Sequence, residues 1–261
     1  MVANAALADP EALQHVADLS RPVTLAKDHV LPVSDAFTGL LPDGGLRRGS
    51  TVTINGKVGS TSLALSLISE ASKTGSWTAV VAMPWLGLIA ADEYGIDLSR
   101  VAIVDEPGDQ WATVVAAMVG AFDVVLTGPP KKVRGSDGRR LAARMRERGT
   151  VLVQVDNGWS RRRTGFVTGD LTLTTGTCEW DGLENGHGRL TSRRVEVSVG
   201  GRGAAGRGRS TWFSLPNIDG DVESLAPSPT VSIAPERLIG SVEDVAERLR
   251  HLAAVPDLEA G

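Results

Sequence analysis

A short glycine-rich segment, Gly56–Ser62, has the residue types and spacing that bind phosphate groups. It follows a β-branched run, Ser50–Asn55, that predicts a strand, and it leads into Ser62–Thr74, whose apolar spacing predicts a helix. Backbone N–H groups at such a strand-to-helix turn attract anions, because they point outwards at the positive end of the helix dipole. The candidate residues of this loop are Gly56, Lys57, Gly59, Ser60 and Thr61.

The elements that must hold this loop follow a regular alternation along the chain. Beyond the first helix, apolar runs predict alternating strands and helices at residues 77–83, 87–94, 101–104, 110–121, 123–127, 139–148 and 151–155. Short β-branched strands separated by helices are typical of a parallel sheet that is covered on both faces. We therefore expect an α/β fold with a largely parallel sheet flanked by helices.

The pattern changes after Asp156. Antiparallel strands are predicted at 171–175, 178–180, 189–199 and 210–215. A segment rich in Pro, Ser and acids, 216–235, is typical of a linker, and an amphipathic helix is predicted over 235–254. Its apolar stripe either packs on the core or binds a partner, and consists of Leu238, Val242, Val245, Leu249 and Leu252. With a helix and linker predicted in residues 1–30, the core spans 31–215 and the linker with the C-terminal helix spans 216–261.

Residues 44–77 resemble the core of the RecA-type recombinases. The shared features are Gly44-Gly45-Leu46, a glycine before the strand, the order of strand, loop and helix, and small residues in the helix. The resemblance extends over residues 31–215 and implies a RecA-like core with antiparallel C-terminal strands. Within that family the chain is similar to the ImuA group of actinobacterial mutasome accessory factors, in its degenerate loop, its length and its Gly/Arg-rich tail.

The loop departs from the working phosphate-binding pattern of the family. When Leu63–Leu65 is aligned with the helix that follows the motif, the loop is about two residues too short for its amides to wrap a β-phosphate. Ser60 then stands at the position of the essential lysine, and Lys57 is expected to point away from a γ-phosphate. The segment is predicted to be a tight strand-to-helix turn, with weak binding of a smaller anion at its amides as the alternative.

Two carboxylates that the family uses for hydrolysis are also absent from the aligned positions. The strand at 77–83 leads into Pro84-Trp85-Leu86 rather than to a glutamate that positions water. The strand at 123–127 ends at Gly128, where the family carries a metal-binding aspartate, and Asp123 stands at the opposite end. Without the lysine, the metal ligand and the catalytic carboxylate, we predict a pseudo-ATPase with no catalytic residue and no nucleotide cofactor.

Basic residues are concentrated in one part of the chain. Between Lys131 and Arg209 there are 17 basic and 8 acidic residues, a formal charge of +9, whereas the remainder carries −13. This asymmetry indicates either a face for an anionic partner or solvated surfaces. The candidate contacts for DNA or a protein partner are Arg140, Arg144 and Arg148 on one helix face, Trp159 with Arg161, Arg162 and Arg163, and Arg202, Arg207 and Arg209 in a Gly/Arg-rich loop.

Composition excludes several other classes of protein. The single Cys178 excludes an internal disulfide framework and a thiolate zinc cluster, and the four histidines are scattered, so no metal site is predicted. No apolar run reaches the ~18 residues of a membrane span, and the N-terminal segment has acids where a signal peptide carries basic residues. We expect a cytoplasmic protein, associated with the nucleoid when recruited to DNA.

The resemblance to the ImuA group implies a non-catalytic accessory protein of DNA-damage-induced translesion synthesis, the induced mutagenesis of the SOS response. Its implied partners are a catalytically defective Y-family-like polymerase homologue (ImuB) and an error-prone C-family DNA polymerase, with self-association or RecA as further partners and weak binding of single-stranded DNA. Two alternatives remain at this point, an ATP-dependent RecA-type recombinase with an unusual loop and a plain single-stranded DNA-binding protein.

Overall fold

Strands and helices alternate as predicted in a computed structural model that describes residues 30–130, 134–158, 167, 169–184, 187–201 and 209–225. The strands are β1 Val30–Leu31, β2 Leu46–Arg47, β3 Thr51–Asn55, β4 Thr78–Val81, β5 Val101–Val104, β6 Val124–Thr127, β7 Val151–Asp156, β8 Leu171–Glu184, β9 His187–Gly201, β10 Arg209–Ser214 and β11 Glu223–Leu225. The helices are α1 Asp35–Thr38, α2 Ser60–Lys73, α3 Leu88–Glu93, α4 Trp111–Val119 and α5 Gly135–Arg148. Of the helices described, none is both long enough and apolar enough to cross a bilayer.

Nine of these strands form one sheet, in the order β11-β10-β9-β8-β3-β7-β6-β4-β5. All neighbours from β8 to β5 are parallel. Strands β9, β10 and β11 extend the sheet beyond β8 with antiparallel pairing. The predicted α/β class, with a largely parallel sheet and an antiparallel extension, is confirmed.

Helices cover both faces of the parallel strands and bury them. On one face Leu63 and Ile68 of α2 belong to the same buried cluster as Ile54 of β3. On the other face, α4 and α5 contribute Trp111 and Met145 to a second buried cluster. Burial of such a large apolar side chain stabilises the fold by about 1.5–3 kcal/mol. The continuous apolar runs of the central strands follow from this burial on both sides.

The antiparallel extension is built on one long hairpin. Strand β8 pairs with β3 only as far as Thr174 and then continues to Glu184, so the hairpin of β8 and β9 projects past the end of β3. Two predicted strands, 171–175 and 178–180, are a single strand whose pairing with β9 shifts between Thr175 and Cys178. A β-bulge of this kind restores alternation after an extra residue, which is why the sequence pattern is interrupted there.

Two other predicted boundaries need correction. Helix α5 begins at Gly135 rather than at residue 139, because Asp137 in the first turn favours a helix that its two glycines disfavour. Residues 223–225 lie within the predicted linker but form β11, which pairs with β10. The helices predicted in residues 1–30 and 235–254 lie outside the described residues, and so do Leu238, Val242, Val245 and Leu249.

Asp123 fixes the amino-terminal edge of the parallel sheet. Its Oδ1 accepts a hydrogen bond from Arg48 Nη1 at 3.0 Å, and its Oδ2 accepts one from the backbone N–H of Trp77 at 3.0 Å. Asp123 immediately precedes β6, so it lies at the end opposite to Gly128, as predicted from the sequence.

Gln154 is a polar side chain at the centre of the sheet. It is fully buried on β7, and its Oε1 accepts from the Val167 N–H while its Nε2 donates to the Val167 carbonyl, both at 2.9 Å. Nε2 also approaches Thr53 Oγ1 at 3.3 Å. The amide therefore pairs with Val167 as a neighbouring strand would, and fixes the position of this one residue between β7 and β8.

Replacing Gln154 by Leu removes both partners of Val167 and leaves a buried N–H and a buried carbonyl unsatisfied. We expect Gln154→Leu to lower the free energy of unfolding by roughly 2–4 kcal/mol, measured by urea denaturation. The same exchange at Gln110, which is exposed, serves as the matched control and should be nearly neutral. Equal stability of the two variants would contradict the role given to Gln154.

Candidate binding cavity at the switch point of the sheet

The candidate site lies where two neighbouring parallel strands send the chain in opposite directions. From β3 the chain passes through α2 to β4, whereas from β7 it returns across β3 to β8. Ligands of open α/β sheets bind in the crevice that forms outside the carboxyl ends of the strands at such a point. A cavity of about 600 Å³ lies here, lined by Lys57, Val58, Gly59, Ser60, Thr61, Ser62, Trp85, Asn157 and Arg193.

The loop between β3 and α2 is short and closely packed. The Gly56 N–H donates to the Asp156 carbonyl at 3.0 Å and so continues the pairing of β3 with β7. Gly56 and Gly59 have φ angles of 144° and 81°, and a Cβ on Gly56 would lie 1.8 Å from Thr175 Oγ1. Only glycine fits at Gly56, because the hairpin strand β8 passes directly beside it. The predicted tight turn is confirmed in its backbone geometry.

The predicted phosphate-loop residues take different positions around this turn. Ser60 is buried as the first residue of α2, with Gly59 as its N-cap, and Thr61 is partly exposed. Lys57 is exposed and lines the cavity, and its side chain lies against Gly158. The loop thus presents one lysine and the first turn of a 14-residue helix to the cavity.

At the far side of the site, Gly128 is enclosed by the segment that follows β4. Its N–H donates to the Val81 carbonyl at 3.0 Å. A Cβ at this position would lie 2.1 Å from the Ala82 carbonyl oxygen and 2.7 Å from Cη2 of the Trp85 ring. Trp85 therefore occupies the space into which a side chain at residue 128 would project.

Ala82 adopts an uncommon backbone conformation that allows Trp85 to pack against Gly128. Its φ angle is 56°, in the left-handed region that costs an L-residue about 1–2 kcal/mol. The turn is held by the Ala82 N–H, which donates to Val104, and by the Leu86 N–H, which donates to Met83. This strained turn brings Trp85 against Gly128 and into the cavity wall.

Five of the lining residues are not among the predicted site residues, namely Val58, Ser62, Trp85, Asn157 and Arg193. Arg193 comes from β9 and stacks on Trp180 of β8, with its guanidinium carbon 5.1 Å from the ring centroid. A signal for it exists, because Arg193 continues the buried alternation of Val195, Val197 and Val199. That alternation places the arginine on the sheet face that carries α2.

The predicted contact residues that the structure describes lie away from this cavity. Arg140, Arg144 and Arg148 are all exposed on α5, and none of them lines it. Arg209 is exposed at the start of β10 and donates to the Gly39 carbonyl at 3.2 Å. The remaining candidates fall outside the described residues, namely Trp159, Arg161, Arg162, Arg163, Arg202 and Arg207.

Two titratable groups outside the cavity have shifted acidities. Burial raises the pKa of the Cys178 thiol, which therefore stays neutral at pH 7 and is a poor nucleophile. Hydrogen bonds from the Ser99 hydroxyl and backbone N–H lower the pKa of the Asp97 carboxyl. Neither group contributes to the chemistry of the cavity.

The sheet order and the position of the cavity are those of a RecA-like fold. The crystal structure of the RadB recombinase matches with a TM-score of 0.51 and 12% sequence identity, over 76% of this chain and 100% of that chain. At this level of identity the likeness concerns the fold alone. It confirms the RecA-like core predicted from the sequence.

A sequence relative gives the particular family. Over 149 residues the chain is 32% identical to the uncharacterized protein Rv3395c of Mycobacterium tuberculosis, a match that covers 55% of this chain and 71% of that protein. Residues 39–161 also match the family described as the MT3502 N-terminal domain. The chain belongs to the same family as Rv3395c. The matched domain contains β3, the loop and Gly128 and ends before β8.

The enclosure of Gly128 can be tested by adding one methyl group. We expect Gly128→Ala to lower the free energy of unfolding by about 1–3 kcal/mol, because the Cβ cannot avoid the Ala82 carbonyl. Gly138 in α5 has no atom within 4 Å of its Cβ position, so Gly138→Ala should be neutral or stabilising by up to ~1 kcal/mol. Thermal and urea unfolding of the two variants measure this difference. Similar stabilities would mean that Trp85 and Ala82 do not enclose residue 128.

Proposed function

We propose that this chain is a non-enzymatic RecA-like accessory protein that acts by binding other proteins, and that it serves DNA-damage-induced translesion synthesis. The observation that carries the first part is the packing of Trp85 and Ala82 against Gly128. A metal-binding carboxylate at this position would have to occupy space that the chain itself fills. The protein would then function through surfaces that bind other proteins rather than through nucleotide hydrolysis.

The composition of the cavity supports the same proposal. None of the described residues that line it is acidic, and a site that holds Mg²⁺ through water or activates a water molecule needs such a carboxylate. A nucleoside triphosphate carries up to about four negative charges, and leaving them without a metal ion in a cleft costs several kcal/mol. The two cationic residues among its described lining, Lys57 and Arg193, carry less charge than a triphosphate requires.

The cellular process in the proposal comes from the resemblance to the ImuA group. That resemblance supplies the proposed partners, a catalytically defective Y-family-like polymerase homologue and an error-prone C-family polymerase. Self-association and contact with RecA belong to the same proposal. We place the protein in the cytoplasm, at the nucleoid when its partners recruit it.

The loss of nucleotide binding can be tested with the full chain and magnesium ATP. We expect no saturable heat of binding by isothermal titration calorimetry and no phosphate release, with a RecA-type recombinase as the positive control. Saturable binding with a dissociation constant in the micromolar range, weakened in the Lys57→Gln variant, would instead favour the recombinase alternative. It would also refute the proposed lack of nucleotide binding, and release of phosphate would refute the pseudo-ATPase part of the proposal.

The partner part of the proposal has a separate test. The full chain and the polymerase homologue from the same organism are co-expressed, with an affinity tag on the polymerase only. We expect the chain to be retained with the tagged polymerase through size-exclusion chromatography. Elution of the chain alone would contradict the proposed place in translesion synthesis, whatever the result with ATP.

A second candidate function, binding of single-stranded DNA, is favoured by the outer face of α5. Arg140, Arg144 and Arg148 follow each other at four-residue spacing and are all exposed. Like charges at this spacing destabilise a helix unless an anion neutralises them. A nucleic-acid backbone provides such anions without a requirement for sequence.

Replacing these three arginines by glutamine tests this candidate. If they contact phosphates, log Kd for an oligonucleotide plotted against log salt should lose about 0.7 of its slope for each contact removed. The control variant is Arg189→Gln, which removes one exposed charge from the hairpin. Unchanged affinity and slope in the triple variant, measured by fluorescence anisotropy, would exclude this face as the DNA site.

A further inference from the structure

Arg193 lines the cavity and stacks on Trp180, but two of its hydrogen-bond donors have no acceptor in the described part of the chain. Its Nε and Nη2 atoms are buried and have no hydrogen-bond partner within the part of the chain that the structure describes. The neighbouring Arg194, by contrast, is paired with Asp181 and Glu179. A buried donor without an acceptor costs about 1–3 kcal/mol, and more when it is charged. Among the described residues that line the cavity none is acidic, so its two cationic side chains, Arg193 and Lys57, are complementary to an anionic group of another molecule.

The rim of the same cavity is apolar and exposed. Trp85 and Val58 both line it, and their side chains are 42% and 41% accessible to solvent. Every large apolar side chain that is exposed in the described residues belongs to the carboxyl-end side of the sheet or to the hairpin that projects from it. These residues are Val58, Trp85, Ile89, Trp180, Leu190 and Ile218. Exposed apolar residues gathered at one side of a molecule are typical of a protein-binding surface.

We propose that the cavity binds a short segment of a partner protein in which a carboxylate stands next to a large apolar side chain. The Nε and Nη2 donors of Arg193 are buried in the free chain, so in this proposal the guanidinium rotates towards the cavity that it lines and donates both hydrogen bonds to the carboxylate. The apolar side chain packs between Trp85 and Val58. This inference rests on the proposed function, in which the chain works by binding proteins, and names the surface and the chemistry of the bound segment.

Size and charge favour a carboxylate over a nucleotide in this position. A cavity of about 600 Å³ accommodates a few side chains, within the range of ordinary ligand pockets. A single carboxylate is balanced by Arg193 and Lys57 without a metal ion. The apolar rim contributes to binding of a peptide, and tryptophan and arginine are the residues that most often dominate such interfaces.

The probe for this inference is a library of random dodecapeptides displayed on phage and selected on the full chain. We expect the selected peptides to share an Asp or Glu next to an aromatic or large aliphatic residue. The affinity of a synthetic consensus peptide, measured by fluorescence anisotropy, should fall about tenfold or more in both Arg193→Gln and Trp85→Ala. The control variant Arg189→Gln removes the same charge from the same strand, outside the cavity, and should bind as the wild type does.

Exchange of the peptide carboxylate identifies the contact with Arg193. Replacing the shared Asp or Glu by its amide should weaken binding to the wild type about tenfold and should cause little further loss in Arg193→Gln. If the losses of affinity from the amide exchange and from Arg193→Gln add up, the two groups do not interact and the inference is overturned. The same conclusion would follow from selected peptides without a shared acid, or from equal affinities of the Arg193→Gln and Arg189→Gln variants.

Trp85→Ala keeps the inference falsifiable if Arg193→Gln fails to fold, because Trp85 is exposed at the rim. Repeating the polymerase co-purification with both cavity variants separates this inference from the proposed function. If the tagged polymerase retains both variants as well as it retains the wild type, the cavity is not the docking site. The accessory function would then remain supported. If the polymerase no longer retains either cavity variant but still retains Arg189→Gln, the result would support both the docking cavity and the accessory function.

Discussion

The parallel pairing of β3 with a neighbour on each side is the constraint on which the site depends. Asn55, the last residue of β3, is in register with Asp156 of β7 and with Thr174 of β8. The Gly56 N–H extends this pairing by one bond to Asp156, so the loop to α2 has little freedom. Since β8 continues past this point, the loop, the start of α2 and the hairpin meet around one cavity. A shift of β3 by one residue would separate them, because each side chain would change faces.

A second contact, between Trp85 and Gly128, forms part of the wall beside this cavity. The left-handed turn at Ala82 carries Trp85 over Gly128, so two segments that follow different strands of the sheet close against each other. In a parallel sheet these strand ends are where a protein of this architecture places its catalytic groups. Here the same positions carry a glycine and an indole ring, which provide a wall and an exposed apolar rim. In the proposed function, this apolar surface binds proteins in place of the nucleotide chemistry that polar groups would support.

The fold places the arginines of the basic segment in different surroundings. The arginines of α5 form an exposed face on one side of the sheet, next to α4. Arg194 is held in ion pairs within the hairpin, whereas Arg193, one residue earlier, faces the cavity beside Trp180. A net charge of a segment therefore says little about where an anion binds, because adjacent residues of a strand point to opposite faces.

A family resemblance in residues 44–77 implied the RecA-like core, whereas the sequence by itself determined the order of strands and helices, the α/β class and the tight glycine turn. These features depend on local periodicity and on glycine positions, which neighbouring residues reveal. The sequence also revealed that Gly128 stands where a carboxylate is expected, but not that Trp85 fills the space beside it. Only the tertiary structure brought Arg193 to the loop, joined two predicted strands into β8 and placed β11 in a predicted linker. Those results depend on pairing between residues far apart in the chain, and a bulge or a left-handed turn redirects such pairing without a clear periodic signal.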